Sequence, residues 1–204
     1  MITIVDYGMG NLGSIKNMLK KVGFQCEITS SPDKIMSASK LILPGVGAFD
    51  AGMARLNDSG LIPALNEQVL LNKIPVLGIC LGMQLMTHSS EEGHLPGLGW
   101  VDAKTIRFSF PENSHLKVPH MGWNIVTFPK SSNLINAAEI EERFYFVHSY
   151  YVKCENNHDV LMRAKYGHEF DAGFEVGNVM GVQFHPEKSH KFGMRLLRNF
   201  AEFC

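Results

Sequence analysis

The sequence predicts a three-layer α/β/α fold of flavodoxin-like type, with a largely parallel central sheet and a β-rich second half. Short apolar runs alternate with helical segments as far as residue 86, and alternating polar and apolar segments follow from residue 104. A β-α alternation favours a parallel sheet that is covered on both faces. Because no linker or change of composition divides the chain, we expect one domain over residues 1–204.

Composition limits the class of protein. The 204 residues are 45% hydrophobic and 19% charged, with a formal net charge of -1, which argues against nucleic-acid or anionic-membrane binding. No run approaches the roughly 18 apolar residues of a membrane span, and the N-terminus does not resemble a signal peptide. The cysteines are scattered without metal-like spacing, so we expect free thiols, no metal, no cofactor and a cytoplasmic location. They are Cys26, Cys80, Cys154 and Cys204.

The first unit is a strand at residues 2–5 followed by a glycine-rich turn. Gly8, Gly10 and Gly13 formally match the G-x-G-x-x-G pattern of dinucleotide-binding proteins. That interpretation needs an acidic residue at the end of the next strand, but residues 25–29 offer only Glu27, which comes too early. A tight turn facing a partner or ligand is therefore the preferred interpretation. Apolar spacing predicts a helix from residue 15 that ends at Gly23.

A second strand-turn unit follows at residues 40–50. Residues 40–43, of which the last three are apolar, predict a buried strand, and Gly45 and Gly47 follow it on either side of Val46. Two glycines around one residue allow the peptide N–H groups to turn toward a ligand. The turn could be a plain connection or a candidate oxyanion hole. Residues 56–71 predict one helical region with Pro63 inside it.

Residues 75–86 carry the strongest candidate for chemistry. A buried strand ends at Cys80, which lies between Gly78 and Gly82, and a helical segment follows. This is the context of a nucleophile elbow with cysteine in place of serine. Only residues without Cβ fit beside such a strained turn, and the following helix N-terminus would favour the thiolate. The alternative is a buried structural cysteine in a tight turn.

The second half predicts several strands. They cover residues 104–110, 123–128, 144–153, 160–165 and 179–184, while residues 120–124 and 156–159 resemble turns. After the last strand comes His185-Pro186-Glu187, and Ser189 is a candidate N-cap for a closing helix.

In an extended segment residues i and i+2 point the same way, so His185 and Glu187 share a side. A carboxylate beside imidazole fixes its tautomer and leaves the other nitrogen to accept a thiol proton. The alternative is a surface or capping pair. With Cys80 as nucleophile, this set performs acyl transfer through a thioester that is then hydrolysed.

These residues resemble the class I (triad) glutamine amidotransferases, and most narrowly the family of glutaminase subunits of imidazole glycerol phosphate synthases. The first resemblance rests on residues 78–84 (GICLGMQ) and 183–187 (QFHPE). The narrower one rests on residues 6–12 (DYGMGNL), 43–49 (LPGVGAF), 119–124 (PHMGWN), 146–151 (FVHSYY) and 185–189 (HPEKS).

The resemblance implies a role for each matching residue. It makes Cys80 the nucleophile, His185 the base and Glu187 the orienting acid. It places the substrate L-glutamine against Gly47, Gln84, Glu92, His148 and Ser149, and the oxyanion against the backbone of Gly45, Val46 and Leu81.

The resemblance also implies a partner, a (βα)8-barrel cyclase that forms a heterodimer with the subunit and receives ammonia through a channel. The cyclase makes imidazole glycerol phosphate, for histidine biosynthesis, and aminoimidazole carboxamide ribonucleotide. The interface residues implied are Asn11, Trp123, Tyr145 and Lys188.

Three alternatives stay open at this point. A paralogous subunit could supply ammonia for an amidino sugar of a surface polysaccharide, and residues 189–194 resemble that group. A non-catalytic docking subunit is disfavoured by the intact Cys80, His185 and Glu187. An unrelated cysteine hydrolase is disfavoured by Gln84 and Glu92.

Overall fold

The computed structural model describes residues 1–136 and 141–204. The strands within these ranges are β1 (Ile2–Val5), β2 (Cys26–Thr29), β3 (Lys40–Gly45), β4 (Val76–Cys80), β5 (Ala103–Arg107), β6 (His120–Thr127), β7 (Glu141–His148), β8 (Tyr150–Cys154), β9 (Val160–Tyr166), β10 (His168–Val176) and β11 (Val179–Val182). The helices are α1 (Leu12–Lys21), α2 (Pro32–Met36), α3 (Phe49–Asp58), α4 (Ile62–Asn66), α5 (Leu81–Leu85) and α6 (His190–Phe203), and a π-helical turn, Glu67–Leu71, extends α4.

All eleven strands belong to one sheet with a parallel half and an antiparallel half. Its main path runs β2-β1-β3-β4-β11-β10-β9-β6-β7, with β8 paired to β10 and β5 paired to β8. The strands β2, β1, β3, β4 and β11 are mutually parallel, whereas the other pairings are antiparallel. The predicted parallel sheet with a β-rich second half is therefore confirmed.

Side chains alternate between the two faces of the parallel half. Leu41 and Leu43 of β3 join one hydrophobic cluster with residues of α2, α3, α4 and α5. Ile42, between them, joins a second cluster with residues of α1 and α6. Helices thus cover both faces, which gives the three predicted layers. Both clusters exclude water from apolar side chains, which is the main force that stabilises such a sheet.

Several sequence expectations for the second half are wrong. Residues 120–124 are not a turn: they begin β6, which pairs with β7 from His120 opposite His148 onward, and Gly122 absorbs a φ of 125° within the strand. The strand predicted over residues 144–153 is interrupted at Ser149 and forms β7 and β8. The strand β10 was not predicted at all. Its partners β9 and β11 are its neighbours in sequence, but β10 contains Asp171, Ala172 and Gly173, residue types with low β propensity that hide the strand pattern.

The helical region predicted over residues 56–71 also differs from the structure. Helix α3 begins earlier, at Phe49, and ends at Asp58, and a second helix starts at Ile62. Pro63 lies in the first turn of α4, where a missing N–H costs no hydrogen bond.

The four cysteines are free thiols, as expected. Among the described residues, no helix combines the length and apolar character needed to cross a bilayer. The same part of the chain holds no group of three His, Cys, Asp or Glu side chains arranged for a metal ion.

Candidate active site

Three neighbouring parallel strands end at one edge of the sheet and bring the candidate residues together. Gly45 at the end of β3 lies opposite Cys80 at the end of β4. On the other side of β4, Val182 of β11 lies opposite Ile79, so the segment after Val182 continues level with Cys80. Ligands in such sheets bind at the carboxyl ends of strands. The register therefore places the predicted oxyanion loop, nucleophile and His-x-Glu segment side by side.

Cys80 occupies a strained turn between β4 and α5. Its φ of 54° and ψ of -111° are unusual for a residue with a side chain. A Cβ at Gly82 would overlap the carbonyl oxygen of Leu43, and one at Gly78 would lie 2.8 Å from the backbone nitrogen of Met83. Both glycines are thus explained by close backbone approach, which is the geometry of a nucleophile elbow.

Substitution at Gly82 tests this packing. Because the added methyl would strike the backbone of β3, we expect Gly82→Ala to lower the melting temperature by several degrees or to prevent folding. Gly13→Ala is the matched control: Gly13 lies in α1 with no atom within 4 Å of the added methyl, and alanine is favoured in helices. Thermal unfolding of both variants measures the difference. Equal melting temperatures would contradict the packing argument.

His185 and Glu187 form a buried pair beside the elbow. Nδ1 of His185 lies 2.9 Å from Oε1 of Glu187, and both side chains are buried. The other ring nitrogen, Nε2, is also buried and has no well-aligned hydrogen-bond partner among the described residues. Burial alone would lower the pKa of His185, but the Cys80 sulfur and the Glu187 carboxylate outweigh it and raise the pKa to about 10. The imidazole is therefore held as a cation beside the sulfur.

A cleft of about 310 Å³ opens above Cys80. All five predicted substrate residues line it, and so do Val46 and Leu81 of the predicted oxyanion set. Gly45 is the exception, since it lies within β3, packed against Tyr7 and Gly82. The full lining is Val46, Gly47, Cys80, Leu81, Gln84, Glu92, Pro119, Val147, His148, Ser149, Tyr150 and His185.

A known protein family matches almost the whole chain. The family described as "Glutamine amidotransferase class-I" matches residues 3–203. The chain belongs to this family.

Similar full-length proteins carry a more specific name. The "Imidazole glycerol phosphate synthase subunit HisH 2" of Methanococcus maripaludis is 56% identical over 99% of each chain. The protein of that name from Pseudomonas aeruginosa is 50% identical over 99% of each chain, and a HisH subunit of Bdellovibrio bacteriovorus is 49% identical over 99% of this chain and 100% of its own length.

Solved structures agree with the amidotransferase fold. A crystal structure described as a glutamine amidotransferase has a TM-score of 0.76 at 19% identity, and covers 99% of this chain and 98% of its own. PurLQS from Thermotoga maritima has a TM-score of 0.73 at 19% identity, and covers 99% and 97%.

The predicted oxyanion loop is held by the glycine-rich turn after β1. The hydroxyl of Tyr7 donates to the carbonyl of Pro44 at 2.6 Å. A Cβ at Gly10, whose φ is 102°, would lie 3.0 Å from Cβ of Pro44. Burial, and then the charge of Cys80, raise the pKa of Tyr7 above its usual range, so it stays a protonated donor. Tyr7 was missed by sequence reasoning.

Glu92 reaches the cleft from the long loop after α5 and also supports α3. Its Oε2 accepts a hydrogen bond from the backbone N–H of Phe49 at 2.9 Å, at the first residue of that helix. The nearby Asp50 accepts backbone hydrogen bonds from His94 and Leu95. The loop that carries Glu92 is thereby tied to the helix that follows the oxyanion loop.

Ser189 was expected to cap α6, and it does not. Its side chain makes no cap hydrogen bond; instead Oγ donates to the carbonyl of His185 at 2.6 Å and accepts from the backbone N–H of Tyr145 at 3.0 Å. Ser189 therefore fastens the turn that carries the His-Glu pair to β7.

Three of the four predicted interface residues lie close together. Trp123 is 46% exposed and packs edge-on against Tyr145, while the ammonium of Lys188 lies 5.8 Å from the Tyr145 ring centroid. His190, which was not predicted, stacks on Trp123 with ring centroids 5.5 Å apart. The fourth residue, Asn11, is exposed and immediately precedes α1.

Proposed function

We propose that this chain is the glutaminase subunit of an imidazole glycerol phosphate synthase, and that it hydrolyses L-glutamine through a thioester on Cys80. The proposal rests on one geometric observation: a strained cysteine and a buried His-Glu pair share the cleft lined by the expected glutamine-binding residues. It is supported by full-length relatives named as HisH subunits at 44–56% identity.

The first half of the reaction forms the thioester. The Cys80 thiolate attacks the side-chain amide carbon of glutamine, and a C–S bond forms as the carbonyl becomes an oxyanion. The tetrahedral intermediate then breaks its C–N bond, and the His185 imidazolium gives its proton to the leaving nitrogen, which departs as ammonia. Glu187 holds the ring so that Nδ1 faces the carboxylate and Nε2 faces the cleft.

The second half hydrolyses the thioester. His185, now neutral, removes a proton from water as the water oxygen attacks the acyl carbon. Collapse of this second intermediate breaks the C–S bond, which releases glutamate and restores the thiolate-imidazolium pair. Backbone N–H groups of Val46 and Leu81 are the proposed donors to both oxyanions, since both residues line the cleft beside Cys80.

The ammonia goes to a cyclase subunit in this proposal. Free ammonia would be protonated in bulk water and would lose its nucleophilicity, so transfer requires a path closed to solvent. Every second residue of one stretch of β6 is apolar and exposed, namely Met121, Trp123 and Ile125. Because alternate residues of a strand lie on the same face, these three form an apolar stripe. We propose this stripe, with Tyr145 and Lys188, as part of the cyclase-binding surface.

A mixing experiment tests the function and names the partner. The chain is combined with each candidate cyclase from its own genome, and glutamate release is measured with and without the cyclase's nucleotide substrate. We expect glutamate release to rise with the histidine-pathway cyclase. Activation only by a cyclase-like synthase of polysaccharide sugars would establish the alternative pathway. Absence of glutamate release with every partner would contradict the glutaminase proposal.

Truncation of Trp123 tests the proposed surface. A large aromatic side chain at a protein interface commonly dominates binding, so we expect Trp123→Ala to weaken cyclase binding by about 30-fold or more. Phe203→Ala is the control, because Phe203 is similarly exposed at 43% but lies at the far end of α6. Calorimetric titration with the cyclase measures both. Equal affinities for the two variants would place the interface elsewhere.

A further inference from the structure

The side chain of Gln183 contacts the reacting sulfur. Gln183 directly follows β11, is completely buried, and has its Nε2 3.7 Å from Sγ of Cys80. Its backbone N–H donates to the carbonyl of Ala172 in β10, which fixes the residue between the two halves of the sheet. A thiolate is a better acceptor than a thiol, and a hydrogen bond to a charged group is stronger than a neutral one. Gln183 is thus in position to favour the thiolate.

The orientation of the Gln183 amide follows from its neighbours. The carbonyl oxygen of Tyr150 can only accept, so the Gln84 atom at 3.1 Å from it must be the donor Nε2. The same Nε2 lies 3.0 Å from Gln183, and the atom facing it must therefore be the acceptor Oε1. The remaining atom of the amide, the donor Nε2 of Gln183, therefore faces the sulfur. The contact is an N–H···S hydrogen bond by necessity.

The Tyr150 carbonyl is itself held by a pair of buried histidines. Nδ1 of His148 donates to it at 2.7 Å, so Nε2 of His148 must accept from Nδ1 of His120 at 2.9 Å. Nε2 of His120 then accepts from the amide of Asn124 at 3.2 Å, and that amide also donates to the carbonyl of Lys165. These contacts fix the tautomer of each histidine.

Both histidines are neutral at physiological pH, which keeps their directions fixed. Burial lowers the pKa of His148 to about 3 and that of His120 to about 4. Continuous hydrogen bonds therefore run from Asn124 in β6 to the sulfur of Cys80.

We propose that Gln183 is a further catalytic residue that donates to the Cys80 sulfur, and that Gln84, His148 and His120 are positioning residues for its amide. The inference rests on the proposed role of Cys80 as nucleophile. In this view Gln84 acts on the nucleophile as well as on substrate. The other titratable groups that act on the sulfur are His185 and Tyr7.

The test measures the reactivity of the Cys80 sulfur in the absence of glutamine and of a partner. Iodoacetamide alkylation of Cys80 in the full chain is followed against pH, with the labelled peptide identified by mass spectrometry to exclude the other three cysteines. Because loss of a hydrogen bond to a charged group disfavours the thiolate, we expect Gln183→Met to move the pH midpoint of alkylation upward by about one unit. Gln183→Glu, which places a carboxylate there, is expected to move it further.

The matched control removes a similar amide elsewhere. Gln68 is also buried, and its Nε2 donates to the carbonyls of Ile35 and Met36, outside the cleft. Gln68→Met is expected to lower the melting temperature and leave the alkylation midpoint unchanged. A purely structural Gln183 would behave as Gln68 does, and that result would overturn the proposal.

A second measurement uses the unaltered chain and does not depend on folding of the variants. In protein labelled with 15N at glutamine side chains, the Gln183 amide resonance should change with pH, and this change should vanish in Cys80→Ala. A Gln183 resonance that does not respond to pH in the parent protein would also overturn the proposal. Normal glutaminase activity of the parent with its cyclase would show that such a failure concerns Gln183 and not the proposed function.

Discussion

Replacement of Cys80 by alanine is expected to reduce glutamate release by the assembled enzyme at least about 10³-fold, to background. The sulfur is the atom that is acylated, and no other thiol lines the cleft within the described residues. A φ of 54° is as strained for alanine as for cysteine, so the substitution should leave the backbone conformation of the elbow unchanged. Glutamate release in the presence of the cyclase and its nucleotide measures the effect.

A second cysteine supplies the control. Cys154 is buried in β8, and burial followed by the nearby Asp171 raises the pKa of its thiol well above the usual range, so it is unreactive. Cys154→Ala should therefore keep its glutaminase activity at equal concentrations of folded protein. Binding of the cyclase should persist in Cys80→Ala. Substantial glutamate release by Cys80→Ala would show that another residue is the nucleophile.

The parts of the site that sequence predicted well obey local rules. The i, i+2 rule predicted that His185 and Glu187 share a side, and the structure brings them to 2.9 Å. The segment is not extended as that rule assumes, because Glu187 lies in a 3-10 turn, Pro186–Lys188. Cys80 and His185 are distant in sequence, yet each follows an apolar strand, and parallel strands place their carboxyl ends at one edge. The register of β4 with β11 then brings the segment after Val182 level with Cys80.

The parts that sequence did not predict depend on pairing between distant strands. The turn expected at residues 120–124 is a strand because β7 pairs along the whole length of β6, and β9 pairs with the end of β6 at Val126 and Thr127. His120 thereby faces His148, a contact that no local sequence pattern predicts. Gln183 belongs to the motif at residues 183–187 that carries the resemblance, but an amide after a strand has many uses and nothing there assigned it a role. Its position two residues before His185 was the available clue.

Substitution of Glu187 by glutamine has the second-largest expected effect. The Glu187 carboxylate is one of the groups that raise the pKa of His185 to about 10, so its loss lowers that pKa. A less stable imidazolium supports less thiolate at neutral pH, and a glutamine amide can also turn the ring to the wrong tautomer. We expect glutaminase activity to fall on the order of 10³-fold.

The pH dependence separates this electrostatic effect from misfolding. Because the cation beside the sulfur is weakened, alkylation of Cys80 in Glu187→Gln should reach its plateau at a higher pH than in the parent chain. Glu142→Gln is the matched control: Glu142 is a buried carboxylate in β7 that pairs with Arg195, and its loss removes the same charge. That variant should change stability and leave the alkylation profile in place. An alkylation profile that is unchanged in Glu187→Gln would mean that the carboxylate orients the imidazole without stabilising its charge. The thiolate would then depend on Gln183 and on the backbone of the elbow.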